Sequence, residues 1–150
     1  MIALDTNVLA RYYVLDEADR ESGPQHVLAV AALGKPGKFF VPKTVMLEFE
    51  WVLRGFYGYA RADILRVFDQ LANLPMVHIE DSDVVATAIA AYRKGLDFAD
   101  ALHLASSAQC EKLMTFDDRG FARRAKRMKL KPDVALLVAK GKAGALASAF

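Results

Sequence analysis

Four acids stand where a folded chain could gather them for chemistry: Asp5, Glu48, Asp100 and Asp117. Asp5 closes the apolar run Met1-Ile2-Ala3-Leu4 and is followed by a hydroxyl, Thr6, and an amide, Asn7. Asp117 closes a second run, Lys112-Leu113-Met114-Thr115-Phe116, and has an acidic neighbour in Asp118. Glu48 and Asp100 fall in the first turns of two helical patterns. In a parallel α/β sheet the carboxyl ends of strands and the starts of the following helices lie on one edge, where ligands bind, so the four are expected in one crevice.

Carboxylates gathered without a cation cost several kcal/mol, because desolvation and like-charge repulsion both oppose ionisation. Lysine, arginine or a divalent metal would relieve that cost. No lysine or arginine lies within two residues of Asp5, Glu48 or Asp100. Hard cations such as Mg²⁺ and Mn²⁺ prefer oxygen ligands, which makes a metal the expected partner. Such an ion takes part of its coordination from a substrate phosphate, activates water and neutralises charge on phosphoryl oxygens. The chemistry this set suits is phosphodiester hydrolysis.

The elements that must position these acids follow from the pattern. After Asp5 the spacing predicts a short helix from Val8 to Val14 with Asn7 as its cap. A polar loop follows, and Pro24 then opens a second helix ending before Gly34-Lys35-Pro36-Gly37. Phe39-Phe40-Val41-Pro42 reads as a buried parallel strand. Thr44 is the expected cap of an apolar helix from Val45 to about Tyr57, followed by a helix from Arg61 to Asn73. Met76-Val77-His78-Ile79 is the third strand, and Asp81 or Ser82 caps a helix from Asp83 to Lys94 that stops at Gly95. A helix from Ala99 to Glu111, the strand 112–116, a basic helix from Gly120 to about Lys129 and an edge strand within 132–138 complete the chain. Strands alternate with helices throughout, which argues for a parallel sheet covered by helices on both faces.

Composition agrees. With 150 residues and 54% hydrophobic content, the chain suits a single domain over residues 1–150, with residues 140–150 as a loosely held tail. The single cysteine, Cys110, excludes an internal disulfide, is expected in the core and fits a reducing cytoplasm. No run reaches the ~18 apolar residues of a membrane span. A net charge of +2 is too balanced to argue for nucleic acid, so the distribution of charge matters more than its sum.

Leu4-Asp5-Thr6-Asn7-Val8-Leu9, the helical Glu48, Asp97-Phe98-Ala99-Asp100-Ala101-Leu102-His103-Leu104-Ala105 and Thr115-Phe116-Asp117 resemble, in order and spacing, the successive motifs of the PIN-domain ribonucleases. The likeness is greatest to the VapC-type toxins of bacterial toxin–antitoxin pairs, and it runs from Met1 to about Lys131. The resemblance implies a PIN-like three-layer α/β/α fold with a central, mostly parallel sheet of four to five strands. It further implies Mg²⁺- or Mn²⁺-dependent endonucleolytic cleavage of RNA, a homodimer, and inhibition by a small cognate antitoxin. Asp5, Glu48, Asp100 and Asp117 would be both the catalytic and the metal-binding acids, with Thr6 or Asn7 supporting Asp5. Because Asp117 and Asp118 are adjacent, either could be the fourth ligand, the other supporting it.

The residues themselves sharpen some of these assignments. Glu48 shares a helical face with Val45 and Val52, while Glu50 lies further round, which modestly favours Glu48. Asp97 and Asp100 are three apart; Asp97 reads as the helix cap or a supporting group and Asp100 as the ligand. His103, one turn on, reads as a packed or hydrogen-bonded histidine. Arg119, Arg123, Arg124 and Arg127, with Lys126, Lys129 and Lys131, form a basic run that is either a solvated face or a grip on the RNA backbone. Trp51, Phe56, Tyr57 and Tyr59 crowd an already apolar helix, so part of its surface is expected to face a second subunit or an antitoxin. Two rivals are a non-catalytic RNA-binding module and an aspartyl-phosphate phosphatase. The phosphatase needs a second acid where Asn7 stands.

Overall fold

A computed structural model describes residues 1–139, and the expectation for residues 140–150 lies outside them. The described chain divides into two compact units, Met1–Val85 and the part that begins at Ala86.

In the first unit, β1 (Ile2–Ala3), β2 (Phe39–Val41) and β3 (Val77–Ile79) form a parallel sheet in the order β1-β2-β3. The register pairs Ile2 with Phe39 and Phe40 with His78. Helices α1 (Thr6–Tyr13) and α2 (Ser22–Leu33) connect β1 to β2. Next come α3 (Lys43–Trp51), which continues as a π-helical turn over Val52–Phe56, and α4 (Arg61–Ala72). Leu9, Leu33, Val41, Met46, Phe49, Ile64, Phe68 and Leu71 are fully buried. This core holds α3 against its neighbours: the Phe49 ring sits between those of Tyr13 and Phe68, at centroid distances of 6.0 and 6.2 Å.

Three helix starts in the first unit differ from expectation. α1 begins at Thr6 and its cap is Asp5, not Asn7, because the strand before it is only two residues long and the chain turns helical at once. α2 begins at Ser22, which puts Pro24 third in the helix, still among the positions whose N–H groups have no helical partner. α3 begins at Lys43 after Pro42, not after Thr44. The Lys43 N–H donates to Glu80 Oε2 at 2.7 Å, so a carboxylate beyond β3 does the capping that Thr44 was expected to do.

Helix α5 (Ser82–Arg93) leads into the second unit, where α6 spans Phe98–Ser106. β4 (Lys112–Thr115) follows, then a π-helical turn over Asp118–Ala122 and α7 (Arg123–Arg127). β5 (Asp133–Leu136) pairs parallel with β4, Leu113 opposite Val134. Gly95, at φ +110°, ends the segment after α5 as expected. Tyr92, Leu96, Phe98, Ala101, Leu104 and Ala125 are buried, and the Tyr92 and Phe98 rings meet edge to face at 5.4 Å.

α6 stops five residues before Glu111, because the Ser107 hydroxyl donates back to the His103 carbonyl at 2.8 Å and closes the last turn. Cys110 consequently falls outside the helix and is exposed, not in the core. His103 is exposed as well, so of the two expectations for it, packed or hydrogen-bonded, packing is not what the structure shows. Among the described residues the strand pairings within each of the two sheets are parallel, and strands alternate with seven helices, an α/β architecture. Among the described residues, no helix is long and apolar enough to cross a membrane.

Candidate active site

The end of β1 delivers Asp5. Its backbone is extended, at φ −85° and ψ 160°, and Oδ1 accepts the Thr6 N–H at 2.8 Å, so one carboxylate oxygen caps α1 while the side chain stays exposed. Thr6 is only 4% exposed, and its hydroxyl Oγ1 is buried without a hydrogen-bond partner. A buried hydroxyl left in that state costs roughly 1–3 kcal/mol, so it needs a partner in the working protein.

On α3, Glu48 is exposed and Glu50 is 2% exposed. Glu50 pairs with Arg54 at 2.8 Å and thus serves the fold. Glu48 instead lines a pocket of about 290 Å³ with Asp5, Thr6, Asn7, Arg11 and Trp51. The modest preference for Glu48 over Glu50 therefore rests on burial and pairing, not periodicity alone.

In the second unit, Asp97 caps α6, its Oδ1 accepting the Asp100 N–H at 3.2 Å. Of the two roles expected of Asp97, the structure shows that of helix cap. Burial, and then the negative charges of Asp97 and Asp117, hold the Asp100 carboxyl above the usual carboxylate range, while His103 draws it partly back. Asp117 follows β4 and caps the π-helical turn: Oδ1 accepts the Gly120 N–H at 2.8 Å, and the Asp117 N–H donates to Thr115 Oγ1 at 3.0 Å. Asp118 is bound by Arg123, through Nη2 at 2.6 Å and Nε at 3.0 Å. Of the adjacent pair, Asp117 is the acid without a cationic partner among the described residues.

Gly120 was missed by the sequence reading. A Cβ at that position would stand 2.5 Å from Asp117 Oδ2, so the glycine is what lets the carboxylate fold back over the turn. The spacing Asp117-Asp118-Arg119-Gly120 was the available signal, since an acid that caps a turn needs close backbone approach three residues on.

The basic run divides. Arg123 is held by Asp118, and Arg124 Nη1 donates to the Gly95 carbonyl at 3.0 Å. Arg119 and Arg127 are exposed. Lys126, Lys129 and Lys131 join Lys112, Glu111 and Asp133 around a separate cavity of about 780 Å³ at the beginning of β4 and β5, the strand ends opposite to Asp117. Four arginines expected to act as one RNA-binding face thus have two members engaged within the chain.

Among the described residues, no group of three or more His, Cys, Asp or Glu side chains stands close enough to hold a metal ion. The acids are placed as two sets, Asp5 with Glu48 and Asp100 with Asp97 and Asp117.

The raised Asp100 carboxyl has a measurable consequence. Such a group adds stability below its unfolded value of about 3.9, and that contribution is lost as pH rises through the raised folded value. In chelator, Asp100→Asn is expected to melt at a higher temperature than wild type at neutral pH, with the gap closing toward about pH 4. Circular dichroism melts across a pH series test this. A gap that does not change with pH would show that Asp100 titrates as an ordinary carboxylate.

Comparison with known proteins fits these observations. The family model described as PIN domain matches residues 2–127, so the chain belongs to the PIN domain family. At the level of single relatives it is similar to a VapC ribonuclease of Aquifex aeolicus (strain VF5), with 29% identity over 132 residues covering 87% of this chain and 94% of that protein.

Proposed function

We propose that this protein is an endoribonuclease, the toxin of a VapBC-type toxin–antitoxin pair, that hydrolyses RNA phosphodiester bonds with Mg²⁺ or Mn²⁺. The observation that carries this reading is the pocket in which Asp5 and Glu48, both exposed acids, meet beside the unpartnered Thr6 hydroxyl. Membership of the PIN domain family and the likeness to a VapC ribonuclease support it. The donor set fits a hard cation. Asp5, Glu48, Asp100 and Asp117 offer oxygen alone, and the unpartnered Thr6 hydroxyl adds another oxygen beside Asp5.

In this reading Asp5, Glu48, Asp100 and Asp117 are the acids that would hold one or two cations. Bound there, a divalent ion lowers the pKa of water and offsets charge on the phosphoryl oxygens. The chain's own contributions are distinct. Asp97 fixes the first turn of α6 and with it the backbone of Asp100. Gly120 fixes Asp117. Thr6, buried at the base of Asp5, and the adjacent Asn7 orient that side of the pocket. Arg119 and Arg127 grip the RNA backbone by neutralising phosphates. The protein works in the cytoplasm as a homodimer restrained by a small antitoxin.

Asp118 is not a ligand in this scheme. Its ion pair with Arg123 is largely exposed, so Asp118→Asn is expected to cost under about 1 kcal/mol of stability and to leave cleavage near the wild-type rate. Urea unfolding and a cleavage assay check both. A loss of cleavage comparable to that of Asp117→Asn would assign the fourth acid to Asp118.

The decisive experiment incubates purified protein with end-labelled total RNA, with Mg²⁺ or Mn²⁺ and with chelator, and maps the ends. Discrete internal cuts that vanish in chelator are expected. RNA retention without cutting, indifferent to chelator, would instead identify a non-catalytic RNA-binding module.

A further inference from the structure

Part of the aromatic surface of α3 and its π-helical extension was expected to meet a protein partner, but three of its side chains, Trp51, Phe56 and Tyr57, line the pocket of the candidate site. Trp51 is 58% exposed and Phe56 70% exposed, and both line the 290 Å³ pocket that holds Asp5 and Glu48. Trp51 follows Glu48 by three residues, so indole and carboxylate project from one helix face, one turn apart. The π-helical turn then advances the chain so that Phe56 reaches the same pocket, and Phe56 is steadied edge to face against Tyr57, at 4.9 Å and 86°. The indole lies over Gly55, whose added Cβ would touch it at 3.5 Å, which backs one part of the ring system with the chain itself.

We propose that Trp51 and Phe56 form a base-stacking platform that fixes the nucleotides beside the scissile phosphate. This rests on the reading of the acids as a phosphodiester-cleaving site. A nucleotide is charged at its phosphate and flat and apolar at its base, with the sugar between. The pocket has the matching polarity: carboxylates that would act at the phosphate through a cation, and aromatic rings one helical turn away. Bases splayed from single-stranded RNA stack on aromatic faces with little regard to sequence, whereas an A-form duplex buries those faces. Arg11 forms a fixed polar wall of the same pocket, its Nε and Nη2 engaged by Gln25 and Asp19. The platform places recognition of the bases on the Glu48 side of the site.

Trp51 is the chain's single tryptophan, so intrinsic fluorescence reports this ring alone. The test titrates the full-length Asp5→Asn protein, in Mg²⁺, with single-stranded oligo(A) and oligo(U) of about a dozen nucleotides and with an abasic ribose-phosphate oligomer of equal length. In parallel, KM and kcat for RNA cleavage are measured for Trp51→Ala, Trp51→Leu and Trp51→Phe in the otherwise wild-type chain. The expected result is quenching by the base-bearing oligomers and not by the abasic one. KM should rise about fivefold to a hundredfold in Trp51→Ala and Trp51→Leu, with most of the loss recovered in Trp51→Phe. The platform is overturned if fluorescence ignores RNA, if the abasic oligomer quenches equally, or if Trp51→Leu matches Trp51→Phe. A signal that follows the protein's own concentration and not RNA overturns it too, in favour of an interface between chains. The two readings separate: base-dependent quenching by a protein whose wild type cuts no RNA sinks the nuclease alone, and metal-dependent cutting without quenching sinks the platform alone.

Discussion

Asp5→Asn is expected to lower RNA cleavage in Mg²⁺ or Mn²⁺ by at least about a hundredfold while leaving the fold intact. The asparagine carbonyl can still accept the Thr6 N–H that Asp5 Oδ1 accepts at 2.8 Å, so α1 keeps its cap. What the substitution removes is a negative charge on an exposed carboxylate, the one proposed as a ligand. A cation in such a site supplies several kcal/mol of transition-state charge stabilisation, and each ~1.4 kcal/mol forfeited is tenfold in rate. Glu48→Gln on the facing wall of the pocket is expected to act in the same direction. The measurement is single-turnover cleavage of labelled RNA beside a thermal melt. Should Asp5→Asn cut the same bonds at the wild-type rate, with its melting temperature unchanged, the acids of α1 and α3 would not be the catalytic ones.

The candidate acids were legible because their positions depend on coarse features: where an apolar run ends and where a helical period begins. Asp5 and Asp117 stand at strand ends and Asp100 in a first helical turn whichever residue opens the helix. What depends on a single residue of boundary was not legible. In Asp5-Thr6-Asn7 each side chain is able to cap, and only the two-residue length of β1 decides that Asp5 does. That detail matters for function, since one oxygen of the proposed ligand is also the helix cap. Likewise the end of α6 is set by a serine bonding back to the His103 carbonyl, with no glycine or proline to announce it.

Pairing was the other hidden quantity. The sequence offers Glu48 and Glu50, then Asp117 and Asp118, as near-equivalent choices. Local helical pairing separates each pair by giving one member an arginine about one turn on: Arg54, four residues after Glu50, and Arg123, five residues after Asp118 across the π-helical turn. Among the described residues, the members of these pairs left without a cation are Glu48 and Asp117. The same sorting acts on the basic run, where Arg123 and Arg124 are spent on Asp118 and on the Gly95 carbonyl, and the lysines turn toward the opposite strand ends. Charge along the chain therefore overstates the charge available to RNA.

Gly120→Ala carries the second large effect, although the residue bears no functional group. A methyl at that position would lie 2.5 Å from Asp117 Oδ2, 3.0 Å from Oδ1 and 3.1 Å from Cγ, so the carboxylate has to swing away or the π-helical turn has to shift. Either response breaks the 2.8 Å bond from the Gly120 N–H to Oδ1, worth about 0.5–1.5 kcal/mol, and adds the strain of overpacking, together about 1–3 kcal/mol of stability. The catalytic cost is larger, because a ligand displaced by about 1 Å can cost a hundredfold in rate. Cleavage by Gly120→Ala is thus expected to fall toward that of Asp117→Asn, with a modest drop in unfolding free energy in urea. Gly23→Ala is the control: nothing lies within 4 Å of a Cβ there, and alanine within α2 is expected to add up to about 1 kcal/mol of stability without touching cleavage. If Gly120→Ala is destabilised yet cleaves as fast as wild type, the folded-back position of Asp117 is a capping arrangement only, and the fourth acid has to be sought elsewhere.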